Sequence, residues 1–343
     1  MPRADQLSPQ DDYSPKKALV TGGAGFIGAQ LTHILVEKGV DVRVMVVPGD
    51  PATNLDGLRG QIEVVQGDLL DSTSLDRAMA GCDTLFNLAA IYAIWLPVRR
   101  KMFDVNVDGT RNVMEAARRA GVARIVHTSS IAAVGCRPGQ QPADETCHFN
   151  EWDIASDYVM SKYISELEVC RLAQDGLPIT VVNPAFPFGW GDIGPTPTGN
   201  IVDMILKGMP AYLTGGLNAV GVRDVAMGHW LAALRGRIGR RYILGGDNLT
   251  YEEFARKVAR IGGVRAPRIK VPPRAFVLAG RVGDWISDHI THKPPLAAET
   301  TVRYAAGRYL YFDTARARDE LGYTTAPIND HIQDAVRWFK RRG

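Results

Sequence analysis

Apolar residues along this chain alternate between two patterns. Short, nearly continuous apolar runs at Lys17–Thr21, Val42–Val47, Ile62–Gln66, Thr84–Leu88, Arg124–Thr128 and Ile179–Asn183 predict strands covered on both faces. Between them, apolar positions recur at helical spacing over Phe26–Lys38, Ser74–Ala80, Lys101–Ala120 and Tyr158–Gln174. Strand and helix taking turns predicts an α/β fold with a doubly wound parallel sheet. After Pro184 the pattern changes. Residues Pro184–Gly199 hold four prolines and four glycines, an irregular stretch, and helical patterns follow at Ile201–Lys207, Val225–Arg235, Tyr251–Ile261, Arg274–Ile286 and Asp330–Lys340. The division expected is a sheet domain over 17–184 and a smaller, mostly helical lobe over 185–343 that returns a strand or two to the main sheet. The polar, proline-containing residues 1–16 are expected to form a disordered arm.

Composition narrows the class. The 343 residues are 45% hydrophobic and 22% charged with a net charge of +3, the profile of a globular protein that meets water. Basic residues are interleaved with acidic ones, which argues against a nucleic-acid footprint, and Arg99-Arg100-Lys101 and Arg341-Arg342 read as solvated surface. Cys82, Cys136, Cys147 and Cys170 are scattered without metal-ligand spacing, so no metal is expected and a reduced, cytoplasmic compartment fits. The first 17 residues lack the apolar core of a signal peptide. The run Asp83–Val98 is interrupted by Asn87 and is too short to span a bilayer. The pattern at Arg274–Ile286, with Phe276, Val277, Leu278, Val282 and Trp285, reads as packing within the lobe, with peripheral contact to the inner face of a membrane as the rival.

Thr21-Gly22-Gly23-Ala24-Gly25-Phe26-Ile27-Gly28 follows the first strand pattern and opens the first helix pattern. In that context Gly22 takes a tight turn, Gly25 admits a pyrophosphate, and Gly28 lets helix and strand approach. The free N–H groups of Phe26 and Ile27 then face negative charge, which makes the sheet domain a Rossmann-type dinucleotide domain. Farther on, Tyr158 and Lys162 lie four residues apart on a helix pattern, hence on one face. A nearby ammonium is expected to lower the phenol's pKa so that it exchanges a proton with a substrate hydroxyl while hydride moves. Tyr13 and Lys17 share the spacing. Only the second pair has Thr128-Ser129-Ser130 at a strand end before it, where a serine hydroxyl can bond a substrate oxygen.

From Lys17 to about Phe339 the chain resembles an extended short-chain dehydrogenase/reductase. The resemblance implies Ser130, Tyr158 and Lys162 as catalytic residues. It implies Asp68 of Gly67-Asp68-Leu69 near the adenine, Leu88, Ala89 and Ala90 as a cofactor-lining turn, and Asn106 as the helix asparagine near the site. Thr128 and Pro184 complete the cofactor wall, with Tyr158 and Lys162. NAD is the expected cofactor and NADP the alternative, since Val46-Val47-Pro48-Gly49-Asp50 offers no clear ribose ligand. Within the superfamily the chain is similar to dihydroflavonol reductases, 3β-hydroxysteroid dehydrogenases and sterol C4-decarboxylases. It also resembles hopanoid-associated sugar epimerases, at Pro195–Gly199, Met209–Tyr212 and Arg241–Thr250. A homodimer through Lys101–Ala120 and Tyr158–Gln174 is usual for this resemblance.

The motifs do not choose between dehydrogenase and epimerase. Phe186, Phe188 and Trp190 after the sixth strand, with Tyr92 and Trp95 after the fourth, suggest an apolar substrate such as a sterol or other isoprenoid. Ile91 and Ile94 are expected to be core. Arg223 is the one basic residue expected near the site, free to bind a carboxylate or pair with Asp224. A 4-carboxysterol oxidised at its 3-hydroxyl yields a β-keto acid, which loses carbon dioxide readily. The alternatives are a nucleotide-sugar epimerase, a dihydroflavonol-reductase-like enzyme and a non-catalytic cofactor sensor.

Overall fold

The computed structural model describes residues 13–93, 95–292 and 299–342. Six strands, β1 (Lys17–Thr21), β2 (Asp41–Val46), β3 (Glu63–Gln66), β4 (Thr84–Asn87), β5 (Arg124–Thr128) and β6 (Ile179–Pro184), alternate with helices. The helices are α1 (Phe26–Glu37), α2 (Ser72–Met79), α3 (Arg100–Phe103), α4 (Thr110–Ala120) and α5 (Asp157–Gln174). All contiguous pairs in the main sheet are parallel, in the order β3-β2-β1-β4-β5-β6, with a seventh strand beyond β6. The order reverses between β1 and β4, which opens a crevice above the C-terminal strand ends. One face is covered by α1, through Leu31, Ile34 and Leu35, and the other by α2, α4 and α5, through Leu75, Met79, Val113 and Leu172. That double cover is why β5 is buried at every residue.

The helix expected over Lys101–Ala120 is interrupted. A wide turn over Asp104–Gly109 joins α3 to α4. Gly109 is pressed on Leu69 so closely that a Cβ there falls 2.8 Å from it. Asn106 turns inward to grip the backbone of Ile91, where its Oδ1 accepts from the amide at 2.7 Å. Such widened turns gather at functional sites.

The remaining elements build the lobe, and two of them return to the main domain. Strands β7 (Phe186–Phe188), β8 (Ala211–Leu213), β9 (Gly215–Gly221), β10 (Arg241–Leu244), β11 (Asp247–Thr250), β12 (Ile269–Val271) and β13 (Arg308–Leu310) follow β6. Helices α6 (Pro197–Leu206), α7 (Val222–Arg235), α8 (Tyr251–Gly262), α9 (Pro273–Ile286), α10 (Glu299–Ala305) and α11 (Ile328–Arg342) complete the chain. The seventh strand of the main sheet is β10, paired to β6, and α7 packs beside α1. The helices of the lobe enclose a four-stranded sheet in which β9 pairs with β7, β11 and β13. Among the described residues no helix is long and apolar enough to cross a membrane.

Residues 1–12 of the expected arm lie outside the described residues, but Tyr13 is held. Its hydroxyl is 2.6 Å from Thr84 Oγ1, and the Arg124 guanidinium sits 4.9 Å over its ring. Both partners start strands, so Tyr13 and Lys17 lie at the opposite edge of the sheet from the crevice.

Candidate active site

The glycine turn leaves β1 beneath the crevice. Gly22 has φ +68°, a left-handed conformation that L side chains rarely adopt, and a Cβ there would fall 2.8 Å from Ala89 N. A Cβ on Gly28 would meet Gly22 O at 2.1 Å, so the turn folds back on the first turn of α1 only because both are glycine. Gly25 begins α1 in extended conformation, and no side chain caps the helix start. The first-turn N–H groups, including those of Phe26 and Ile27, are therefore available to an anion where the helix dipole favours one. These features fit a dinucleotide pyrophosphate. Leu88, Ala89 and Ala90 leave β4 directly over Gly22, and Asp68 stands exposed at the end of β3 with buried Leu69 beside it.

A row of polar side chains crosses the strand ends. Thr21 Oγ1 donates to Asn87 Oδ1 at 2.7 Å, and Asn87 Nδ2 lies 3.1 Å from His127 Nδ1. Burial, then the charges of Lys162 and His229, pull the His127 pKa down to about 3, so its ring is neutral. Thr128 Oγ1 is 2.9 Å from His229 Nε2, whose other nitrogen meets Val225 O at 2.8 Å. Burial holds His229 near 4 as well.

Ser130, Tyr158 and Lys162 converge beside this row. Ser156 caps α5, accepting from Val159 N at 3.3 Å, which sets Tyr158 and Lys162 on successive turns of one face. Lys162 is buried and its Nζ donates to Thr128 O at 3.0 Å. Burial lowers its pKa from 10.5 to about 8, with the Glu166 charge opposing. The Tyr158 phenol departs from expectation. Its pKa is raised, first by burial and then by Tyr92, while the Ser130 hydroxyl pulls the other way. In the protein alone the ammonium is turned to a backbone carbonyl, and the phenol is neutral.

Three groups support Ser130, Tyr158 and Lys162: Asn106, expected near the site, together with Asn183 and Glu166. Asn106 Nδ2 bonds Ser161 Oγ and Ile91 O, both at 3.0 Å, tying α5 to the loop after β4. Asn183 Nδ2 donates to Ser130 O at 2.9 Å and to Glu166 Oε2 at 2.6 Å. Glu166 is answered by Arg241 Nη1 at 2.8 Å, from β10. Glu166 follows Lys162 by one helical turn, a spacing that flags a partner, but its cation lies 75 residues away in sequence.

The residues expected on the substrate side divide. Tyr92 packs against Tyr158 with ring centroids 4.6 Å apart and the planes tilted by 43°, and its hydroxyl is 3.5 Å from Thr198 Oγ1 of α6. Trp95 is half-buried in the same loop, Phe186 is half-buried between the two cores, and Pro184 closes β6. Three others do not join the site. Phe188 is fully buried against Phe254, with centroids 4.5 Å apart, because β7 turns that side chain into the lobe's core. Trp190 packs on Trp338 of α11 under Arg341, drawn to the outside by the bond from Gln30 Nε2 to its carbonyl. Arg223 pairs with Glu37 at 2.8 Å, at the end of α1 about 16 Å from the glycine turn, while Asp224 is engaged by His331 at 2.7 Å. Ile91 is half-buried, and Ile94 lies outside the described residues.

The family model described as NAD dependent epimerase/dehydratase family matches residues 18–245. Over 335 residues the chain is 39% identical to a putative dihydroflavonol 4-reductase of Synechocystis, covering 94% of each. It is 35% identical to sterol demethylase protein B of Methylococcus capsulatus, covering 95% of this chain and 98% of that one. The fold superposes on a nucleoside-diphosphate-sugar epimerase of Pseudomonas aeruginosa with TM-score 0.79 at 26% identity, covering 96% and 98% of the two chains.

Proposed function

The chain belongs to the NAD-dependent epimerase/dehydratase family, and from that premise we propose that it interconverts a secondary alcohol and a ketone on an apolar polycyclic substrate. The protein is an NAD-dependent enzyme of the short-chain dehydrogenase/reductase type. A 3β-hydroxysterol is the proposed substrate, with loss of carbon dioxide where it carries a 4-carboxyl group. The observation that carries this reading is the aromatic cover of the reacting phenol, the Tyr92 ring 4.6 Å from that of Tyr158. The one arginine expected to meet an anionic substrate, Arg223, is bound elsewhere.

When bound, NAD supplies the hydride acceptor. The residues of the chain do the rest. The Ser130 hydroxyl orients the substrate oxygen, and Tyr158 takes its proton as the alcohol becomes a ketone. In the reducing direction the neutral phenol already carries the proton to be given. Lys162 sets the charge beside it, with Thr128 O holding that ammonium and the charge of Glu166 favouring it. The glycine turn seats the pyrophosphate, Asp68 faces the adenine end, and Leu88, Ala89, Ala90, Asn106 and Pro184 shape the wall. After oxidation of a 4-carboxysterol, carbon dioxide leaves with cleavage of the C4–carboxyl bond, and the enolate left behind takes a proton. We also propose a homodimer through α4 and α5, supported by Leu167 standing more than half exposed on α5.

The test mixes purified protein with NAD or NADP and sterols with and without a 4-carboxyl group, and follows absorbance at 340 nm. Reduced cofactor with 3β-hydroxysterols is the expected result, and Tyr158→Phe abolishes it while leaving NAD affinity within about threefold. Silence across the panel with NAD retained through purification overturns the reading in favour of the sugar epimerase.

A further inference from the structure

Helix α9 carries an apolar stripe that stands exposed, with no packing partner among the described residues. Leu278, Val282 and Trp285 of α9 and Ile290 in the turn just beyond it are 63%, 52%, 57% and 61% exposed, and Ile286 is exposed beside them. At helical spacing, Leu278, Val282, Trp285 and Ile286 fall within an arc of about 100°. The expected packing of this segment into the lobe holds for the other face only. There Gly280 is buried and Asp284 Oδ2 accepts from Glu299 N of α10 at 2.8 Å. The stripe is bordered by Arg274 and Arg281, each on its edge by helical spacing.

We propose that this face docks on an anionic lipid surface. The charge around it selects that occupant. Arg265, Arg268, Lys270 and Arg274 are all exposed along the approach to α9, and among the described residues no ion pair ties any of them. Between residues 265 and 286 the single acidic residue is Asp284, which already holds α10. A second copy of the chain meeting this face through a twofold axis would set these cations against themselves, whereas anionic headgroups complement them. Trp285, stacked at 5.2 Å on His289, adds a side chain suited to the boundary between headgroups and acyl chains.

The placement has a consequence for the site. Helix α10, which backs α9, carries Tyr304, and its ring packs with Tyr158 on Ala132, Phe149 and Val159. One helix layer separates the lipid-facing stripe from the reacting phenol. If the substrate is the apolar alcohol proposed above, it reaches the site from the bilayer without crossing water. That route rests on the proposed function; the docking does not.

The experiment sediments the full chain with vesicles of phosphatidylcholine alone, or of phosphatidylcholine and phosphatidylglycerol in equal parts, with no substrate present. Wild-type protein is expected to bind the anionic vesicles at least about tenfold more tightly than the neutral ones. A Leu278→Ser, Val282→Ser, Ile290→Ser variant is expected to lose at least about tenfold on anionic vesicles while its NAD affinity and melting temperature stay unchanged. The pair Arg268→Glu and Lys270→Glu is expected to weaken binding as well. Against misfolding of the triple variant, brominated lipid is expected to quench tryptophan fluorescence in wild type and to lose that effect in Trp285→Phe. Wild-type protein left in the supernatant, equal binding by the triple variant, or quenching untouched in Trp285→Phe overturns the proposal. So does a wild-type dimer that becomes a monomer in the triple variant, which makes the stripe an interface between copies.

Discussion

Lys162 carries a cost that its neighbours only partly offset. The unfolded chain keeps this ammonium protonated to about 10.5, but burial in the folded protein brings the value to about 8. Below 8 the charge is therefore retained at the expense of stability, and the contribution of this group improves as pH rises from about 8 to about 10.5. A gap of roughly 2.5 pH units corresponds to about 3 kcal/mol. Removing the amine also strands Thr128 O, so Lys162→Met is expected to gain about 2 kcal/mol at pH 7 in urea denaturation while losing turnover. A variant no more stable than wild type would show that Thr128 O and Glu166 already repay the burial. At this scale Tyr158, Lys162 and Ser130 were legible because helix periodicity and strand ends fix where such residues can stand. The direction of the Tyr158 pKa was not, because burial is a property of everything packed around it. Phe188, Trp190 and Arg223 were misplaced for a related reason: an irregular segment or a helix start gives no period from which to tell inside from outside.

Between elements, α11 is pinned to α7 by His331, whose Nε2 lies 2.7 Å from Asp224 Oδ2. Burial works to lower the His331 pKa, but the bond to Asp224 and its charge outweigh it, and the net shift is upward from 6.5. A raised value in the folded state means this stabilisation is complete below about 6.5 and is lost as pH climbs through the folded value. Wild type is thus expected to lose more melting temperature between pH 6 and pH 8.5 than His331→Gln; parallel profiles would remove the pair from the account. Gly221 lies under the same ring, where a Cβ would fall 2.2 Å from it, so Gly221→Ala is expected to cost about 1–3 kcal/mol by displacing it. Six of the seven strands of the main sheet and most helices were legible to within a few residues, as continuous apolar runs and helical periods are strong signals, whereas β10 was foreseen only as an unplaced strand returning from the lobe. Strand β9, Gly215-Gly216-Leu217-Asn218-Ala219-Val220-Gly221, was not. Its glycines depress strand propensity, yet they are what the lobe's sheet requires: a Cβ on Gly215 would stand 2.2 Å from Arg308 O, and one on Gly216 2.6 Å from Leu249 O.

Across the whole molecule, the boundary at Pro184 marks a change of pattern that the packing does not respect. The chain goes out to build β7 to β9 and then comes back. Val225, Ala226, Ala232 and Ala233 of α7, with Tyr242, Ile243 and Leu244 of β10, enter the same core as Leu31 and Leu35 of α1. A fragment ending at residue 184 therefore bares the part of that face which α7 covers beside α1 and leaves β6 as an open edge. It also leaves Glu166 buried without Arg241, and an unanswered buried charge of that kind costs about 3–5 kcal/mol. Marginal stability leaves little to absorb both losses. Fragment 1–184 is expected to show no cooperative thermal transition in calorimetry, while the full chain melts in one. Extending the fragment to residue 245 restores α7, β10 and the Arg241 partner, and with them a measurable transition. If 1–184 melted sharply by itself and bound NAD, the crossing strand and helix would be ornament on a self-sufficient domain. The shared core argues that they are instead part of what holds the glycine turn and Tyr158 to one crevice.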